Sequence, residues 1–305
     1  MDHVMKLEVR IGNLELATPL IGASGIFGYG LEHGDLLDYD RFGAVVTKTI
    51  TLGPRDGNPP PRIVDVGCGI INSIGLENVG SAVFLSEKLP QIDLPCKVFV
   101  SIGGDTIDQY GRLAGLLAGA AGIDALELNV SCPNVDRGGI AFGRDADSTG
   151  RVVRAVRSET ELAILVKLPP LISGIEGVCQ AAVENGADAL TIANTYPAMA
   201  IDRDSGRPVM GGISGGLSGG AIKHVSLLLV YKVAGIVGVP VVGSGGIESP
   251  DDAIEYILAG ASAFQIGSCV LRDTEAPARI IDGLLDYMRS KDYAGIDDFR
   301  GRAAD

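Results

Sequence analysis

The chain has few of the groups that hold metals. Three histidines and five cysteines are spread through 305 residues. Cys68, Cys96, Cys132, Cys179 and Cys269 form no C-x-x-C pair, no zinc spacing and no four-cysteine iron–sulfur pattern. No metal centre is expected, and scattered free thiols fit a reducing cytoplasm. Basic residues are also short, with 25 Lys and Arg against 38 Asp and Glu and a net charge of −13. Nucleic-acid backbones need Lys/Arg patches, and none stands out, so no nucleic-acid partner is expected. An acidic surface is likewise repelled by anionic membranes. No apolar run reaches the length of a membrane span, and the opening residues, with Asp2 and Glu8, lack a secretion-signal pattern. A cytoplasmic protein is the expectation. Neither a sequence repeat nor a composition break marks a boundary, so residues 1–305 read as one domain. There is no strand-linked G-x-G-x-x-G and no G-x-x-x-x-G-K-[ST], and Gly22-x-x-Gly25-x-x-Gly28 is too weak to count as a nucleotide motif.

What is present is apolar and glycine-rich. Hydrophobic residues make up 46% of the chain, enough for a sizeable core, and the 43 glycines cluster where strand-like runs end. Residues 5–16 alternate around Gly12-Asn13, which reads as a short hairpin able to plug one end of a barrel. Eight β-rich runs follow: 18–23, 44–49, 97–102, 124–130, 163–168, 188–193, 240–243 and 261–266. Helix-length segments are expected near 32–41, 81–89, 105–121, 147–158, 174–186, 220–236, 250–259 and 276–290, with a frayed end beyond. Strands alternating with helices imply a parallel sheet, and eight such units suggest closure as a (β/α)8 TIM barrel. A doubly wound sheet is the lesser alternative. Two segments are too long for simple connections, 52–80 and 196–219. The first carries the apolar stretch Ile70 to Leu76, so it reads as an ordered loop over a site.

Function enters through the strand ends. Each run terminates in a polar or glycine-rich group: Ser24, Lys48-Thr49, Ser101, Asn129, Lys167, Asn194-Thr195, Gly245-Gly246 and Gly267-Ser268. A closed barrel gathers these ends into one ring at its C-terminal face. Ser and Gly simply stop strands. Lys48 and Lys167 are harder to explain that way, because each follows apolar residues and charges are seldom buried unpaired. Loops after the seventh and eighth strands of such barrels often bind phosphate through backbone N–H groups. Asn72, Asn129, Asn134 and Asn194 suit a flat heterocycle with imide edges, Lys48 a carboxylate, and Lys167 an anion that develops during reaction, such as a reduced flavin ring. Cys132, between two asparagines just past a strand end, reads as a base; a buried structural cysteine is the plain alternative.

The residues carrying a family likeness run along nearly the whole chain. They are Thr47-Lys48, Pro54-Arg55-x-Gly57-Asn58-Pro59-x-Pro61-Arg62, Asn72-Ser73-Ile74-Gly75-Leu76-x-Asn78, Asn129-Val130-Ser131-Cys132-Pro133-Asn134, Gly138-Gly139, Phe142-Gly143 and Gly215-Gly216-Leu217-Ser218-Gly219. The chain resembles the class 1 dihydroorotate dehydrogenases, and among them the B-type catalytic subunit. That resemblance implies an FMN-containing (β/α)8 barrel that oxidises dihydroorotate to orotate in the synthesis of UMP. It implies catalytic roles for Cys132, Lys48 and Lys167, with Cys132 taking the C5 proton while hydride leaves C6, under a lid running from Pro133 to about Arg144. It implies substrate contacts from Lys48, Asn72, Ser73, Ile74, Gly75, Leu76, Asn129, Asn134, Asn194 and Thr195. FMN contacts are implied for Ser24, Lys48, Thr49, Ser101, Asn129, Lys167, Ala193, Gly219, Gly245, Gly246, Gly267 and Ser268. It also implies a homodimer of catalytic subunits joined to a partner carrying FAD and a 2Fe–2S cluster, a heterotetramer that passes electrons to NAD.

Some positions depart from the family pattern. Ser101 stands where an Asn is usual near the flavin, Ala193 replaces a larger apolar residue, and Pro169-Pro170 replaces Ser-Pro. Tyr196-Pro197 and Gly211-Gly212 are unusual neighbours of a substrate strand. Three other readings compete: reduction of another pyrimidine such as uracil, a Schiff-base aldolase using Lys167, and a flavin-binding subunit without turnover.

Overall fold

The computed structural model describes residues 5–131, 133–134 and 140–304. Eight parallel strands close into a barrel in chain order: Leu20–Gly22, Ala44–Val46, Lys97–Ile102, Ala125–Asn129, Ala163–Lys167, Ala189–Ile192, Val241–Ser244 and Ala263–Ile266. The (β/α)8 architecture read from the sequence is therefore the observed one. The strands are buried almost throughout, as expected where helices cover one face and the barrel interior the other.

The covering helices carry their own stop and start signals. Thr106 caps Ile107–Ala118 by accepting from the Gln109 N–H, and Asp145 caps Ala146–Arg157 by accepting from that of Ser148. Ser249 and Asp252 form a reciprocal capping box for Pro250–Leu258, with Pro250 in the first turn. The hairpin at the start is present as Val9–Ile11 paired with Leu14–Leu16. Gly12 turns it at φ +59°, close against Asp188 at the foot of the sixth barrel strand, while Ile11 and Leu16 are fully buried. It plugs the end of the barrel opposite the strand termini.

Three expectations change. The helix read over 32–41 is two separate single turns, Gly34–Leu36 and Tyr39–Arg41. Gly34 has φ +44° and Asp38 starts a new capped turn, so the segment cannot propagate. The two long segments, the first read as an ordered loop over a site, do lie there but carry strands. They meet in one antiparallel sheet of Tyr196–Ala198, Gly215–Ser218, Ile70–Asn72 and Ile63–Asp65. Finally, the end of the chain is packed rather than frayed. After the helix Ala276–Lys291, Ile296 and Phe299 are buried, and the Phe299 ring stacks on Tyr293 at 5.3 Å. Among the described residues no helix is long and apolar enough to cross a membrane.

Candidate active site

A cavity of about 590 Å³ opens at the C-terminal mouth of the barrel, roofed by that four-stranded sheet. Its size is typical of a small-molecule or cofactor site. Every strand of the barrel sends a terminal residue to its wall. Ser24, Lys48, Thr49, Ser101, Asn129, Lys167, Ala193, Asn194, Thr195, Gly245, Gly246, Gly267 and Ser268 all line it, with Asn72, Ser73, Ile74, Gly75, Leu76 and Gly219 from the roof and its connections. These are the residues that the sequence nominated, apart from Cys132 and Asn134. Cys132 lies outside the described residues, as do 135–139 of the expected lid. Of the lid's stem, the backbone of Pro133–Asn134 pairs antiparallel with Ile140–Ala141. The side chain of Asn134 is not described.

One wall is rich in amides. Asn194 donates to Asn129 Oδ1 at 3.2 Å and to Ser131 Oγ at 3.0 Å, while its own Oδ1 accepts from the Thr195 N–H at 2.8 Å. The Tyr110 hydroxyl donates to the Asn129 carbonyl at 2.7 Å, which anchors the strand end just before Ser131. Asn72 donates to the Gly216 carbonyl at 3.3 Å, tying the roof together. Gly216 is needed there, because a side chain would run into Thr195 Oγ1. Lys48 Nζ lies 3.4 Å from Glu77 Oε2, which also accepts from Arg62 Nη1 at 3.0 Å. The Glu77 side chain is 46% exposed, so this is a weak, replaceable pairing.

Deeper in, Ser24, Thr49 and Ser101 form a hydroxyl chain, Ser24 to Thr49 at 3.3 Å and Thr49 to Ser101 at 2.8 Å. Below it lies the charged centre. Lys167 Nζ donates to Gln265 Oε1 at 2.7 Å and stands 3.7 Å from Glu127 Oε1. Gln265 Nε2 donates to Glu127 Oε2 at 2.5 Å, and Thr191 Oγ1 to the same oxygen at 3.1 Å. The partner that Lys167 required is thus Glu127, a residue not singled out from the sequence, as Gln265 was not. Glu127 shares strand parity with Asn129, so its inward direction was legible in Ala125–Asn129; its pairing across the barrel was not.

The opposite wall is glycine. Gly245 and Gly246 follow the seventh strand with φ +121° and +71°. A Cβ on Gly246 would meet the Lys223 backbone nitrogen at 2.7 Å. Gly267 and Ser268 follow the eighth strand and open a short helical turn, Ser268–Leu271.

The remaining described cysteines are not candidates for the base. Burial pushes the thiols of Cys96, Cys179 and Cys269 up to about 12, so none is a thiolate at neutral pH. Cys68 is exposed and lies outside the residues that line the cavity.

A parallel barrel that gathers its strand ends around one ligand-sized cavity defines a (β/α)8 barrel enzyme. The chain belongs to the dihydroorotate dehydrogenase family, whose model matches residues 6–288. A relative from Geotalea daltonii, 43% identical over 97% of both chains, is named dihydroorotate dehydrogenase B (NAD(+)), catalytic subunit. One from Desulforudis audaxviator bears the same name and is 44% identical over 98% of both. Among solved structures, a dihydroorotate dehydrogenase from Eimeria tenella in complex with ferulenol aligns with a TM-score of 0.80 and 26% identity. That alignment covers 98% of this chain and 88% of the other. The likeness to B-type catalytic subunits seen in the motifs extends along nearly the whole chain, and the family is flavin-dependent.

Proposed function

We propose that this chain is the catalytic subunit of an NAD-linked dihydroorotate dehydrogenase, with FMN in the barrel mouth and orotate as product. The observation that carries the reading is the division of one cavity into a glycine cradle, a buried ammonium and an amide wall. The cradle fits a phosphate: Gly245 and Gly246 line the cavity with backbone angles that side chains disfavour, and a Cβ would run into Ser226 or the Lys223 backbone, so the loop stays bare. Glycines here bring backbone amides close to the oxygens, as in other barrels.

FMN, when bound, supplies the acceptor for the hydrogen and electron pair that leave C6 of dihydroorotate. The chain does the rest. Cys132 as thiolate takes the C5 proton. Asn72, Asn129, Asn134 and Asn194 grip the pyrimidine edges with paired donors and acceptors. Lys48 meets the substrate carboxylate, which replaces Glu77 on its ammonium and leaves Glu77 to Arg62. Lys167 opposes the negative charge gained by the ring system at the end of the reaction. The residues from Pro133 to about Arg144 close over the site and keep water out. The relatives' names call them catalytic subunits, which supports a partner. We assign that partner the FAD and 2Fe–2S relay, in a heterotetramer built on a homodimer of this chain.

Two results check the cofactor. Heat-released flavin from the purified protein is expected to be FMN at about one per chain; FAD, or a colourless protein, contradicts the assignment. Gly246→Ala is expected to cost about 1–3 kcal/mol of backbone strain, felt mainly at the cradle. A fluorescence titration of the apoprotein should then show FMN bound about tenfold or more weakly. Unchanged affinity would remove the phosphate from that loop.

A further inference from the structure

Glu127 is fully buried inside the barrel, yet its Oε1 has no hydrogen-bond partner. Its other oxygen takes two, from Gln265 and Thr191. These three residues come from the eighth, sixth and fourth strands, the alternation that builds one interior layer of a barrel. Lys167 comes from the fifth strand and lines the cavity, as Gln265 does. Such an arrangement is costly. A buried ion pair is often no more stable than apolar residues of the same volume, and a half-satisfied polar network is worse. The geometry also departs from the tightest ion pair. Lys167 Nζ is 2.7 Å from the neutral Gln265 oxygen but 3.7 Å from the Glu127 carboxylate. Gln265 therefore draws the ammonium off the carboxylate, while Glu127 compensates its charge at one remove.

We propose that Glu127 and Gln265 are positioning residues for the flavin chemistry: Glu127 keeps the Lys167 ammonium charged in a dry interior, and Gln265 holds it off the carboxylate so that its charge stays available to the bound ring. This rests on the assignment of the cavity to FMN. The network then sets how readily the bound ring accepts negative charge. A full ion pair would cancel the ammonium, and a lone buried ammonium would give up its proton.

The test is the midpoint potential of the bound flavin as a function of pH in the parent, Glu127→Gln, Gln265→Met, Lys167→Met and Lys167→Met/Glu127→Gln proteins. In Glu127→Gln the ammonium loses its counter-charge. Its potential is expected to exceed the parent's at low pH and to fall at high pH to that of the double variant Lys167→Met/Glu127→Gln, which has neither charge, while Lys167→Met, with the carboxylate alone, should lie below all of them. The break marks where the uncompensated buried lysine changes charge. Gln265→Met lets the ammonium collapse onto Glu127, so its potential is expected to be more negative than the parent's.

A second readout needs no flavin. Carbamylation of Lys167 by cyanate in the apoprotein, followed by peptide mass spectrometry, should be about tenfold or more faster in Glu127→Gln near neutral pH. Gln265→Met carries the potential measurement if Glu127→Gln does not fold. Flavin-loaded variants whose potentials and labelling rates match the parent's would overturn the proposal while leaving the FMN assignment intact. A parent that binds no flavin would instead remove the assignment on which it rests.

Discussion

Cys132→Ala is expected to slow anaerobic reduction of the bound flavin by dihydroorotate by about a hundredfold to ten-thousandfold, the usual contribution of a positioned base. Flavin content should not change, since no cofactor contact is assigned to the thiol. Orotate should still perturb the flavin spectrum, because the asparagine wall at Asn72, Asn129 and Asn194 is untouched. Cys132→Ser separates base strength from shape. An alcohol is a far weaker base than a thiolate, so this variant should be slow at neutral pH and gain rate as the pH rises. Stopped-flow absorbance checks both. Undiminished reduction in the alanine variant would contradict the base assignment and return Cys132 to the plain structural reading.

Lys167→Met tests the charged centre through stability as well as rate. Removing the ammonium leaves the Glu127 carboxylate buried with hydrogen bonds to only one of its oxygens. Breaking a buried pair on one side costs about 3–5 kcal/mol. Denaturant unfolding of the apoprotein should show a loss of that order, and flavin reduction should be strongly impaired. The double variant Lys167→Met/Glu127→Gln removes both charges, so much of the stability should return while the rate stays low. Equal stability of Lys167→Met and parent would mean that the pair is not a coupled unit.

The barrel was legible because its strands are unbroken apolar runs that stop at polar residues; the runs read at 97–102 and 163–168 fold as Lys97–Ile102 and Ala163–Lys167. The cavity's lining followed from the same pattern, since strand ends of a closed barrel converge whatever lies between them. What escaped was non-local. The roof pairs Ile70–Asn72 with Gly215–Ser218, two short strands remote in sequence, and neither Gly215-Gly216 nor Pro197 signals a strand. Likewise Lys167 could be recognised as a charge needing a partner, but Glu127 meets it only after the barrel closes. The segment 32–41 failed for a local reason: Gly34 takes a positive φ, and helical spacing alone does not reveal it.

The most direct measurement of the whole account is an anaerobic titration of the purified protein with dihydroorotate, followed at the yellow flavin band. Stoichiometric bleaching, with orotate formed in equal amount, is the expected result. A band that survives dihydroorotate but bleaches with a chemical reductant, or responds only in a coupled assay with uracil, would contradict it.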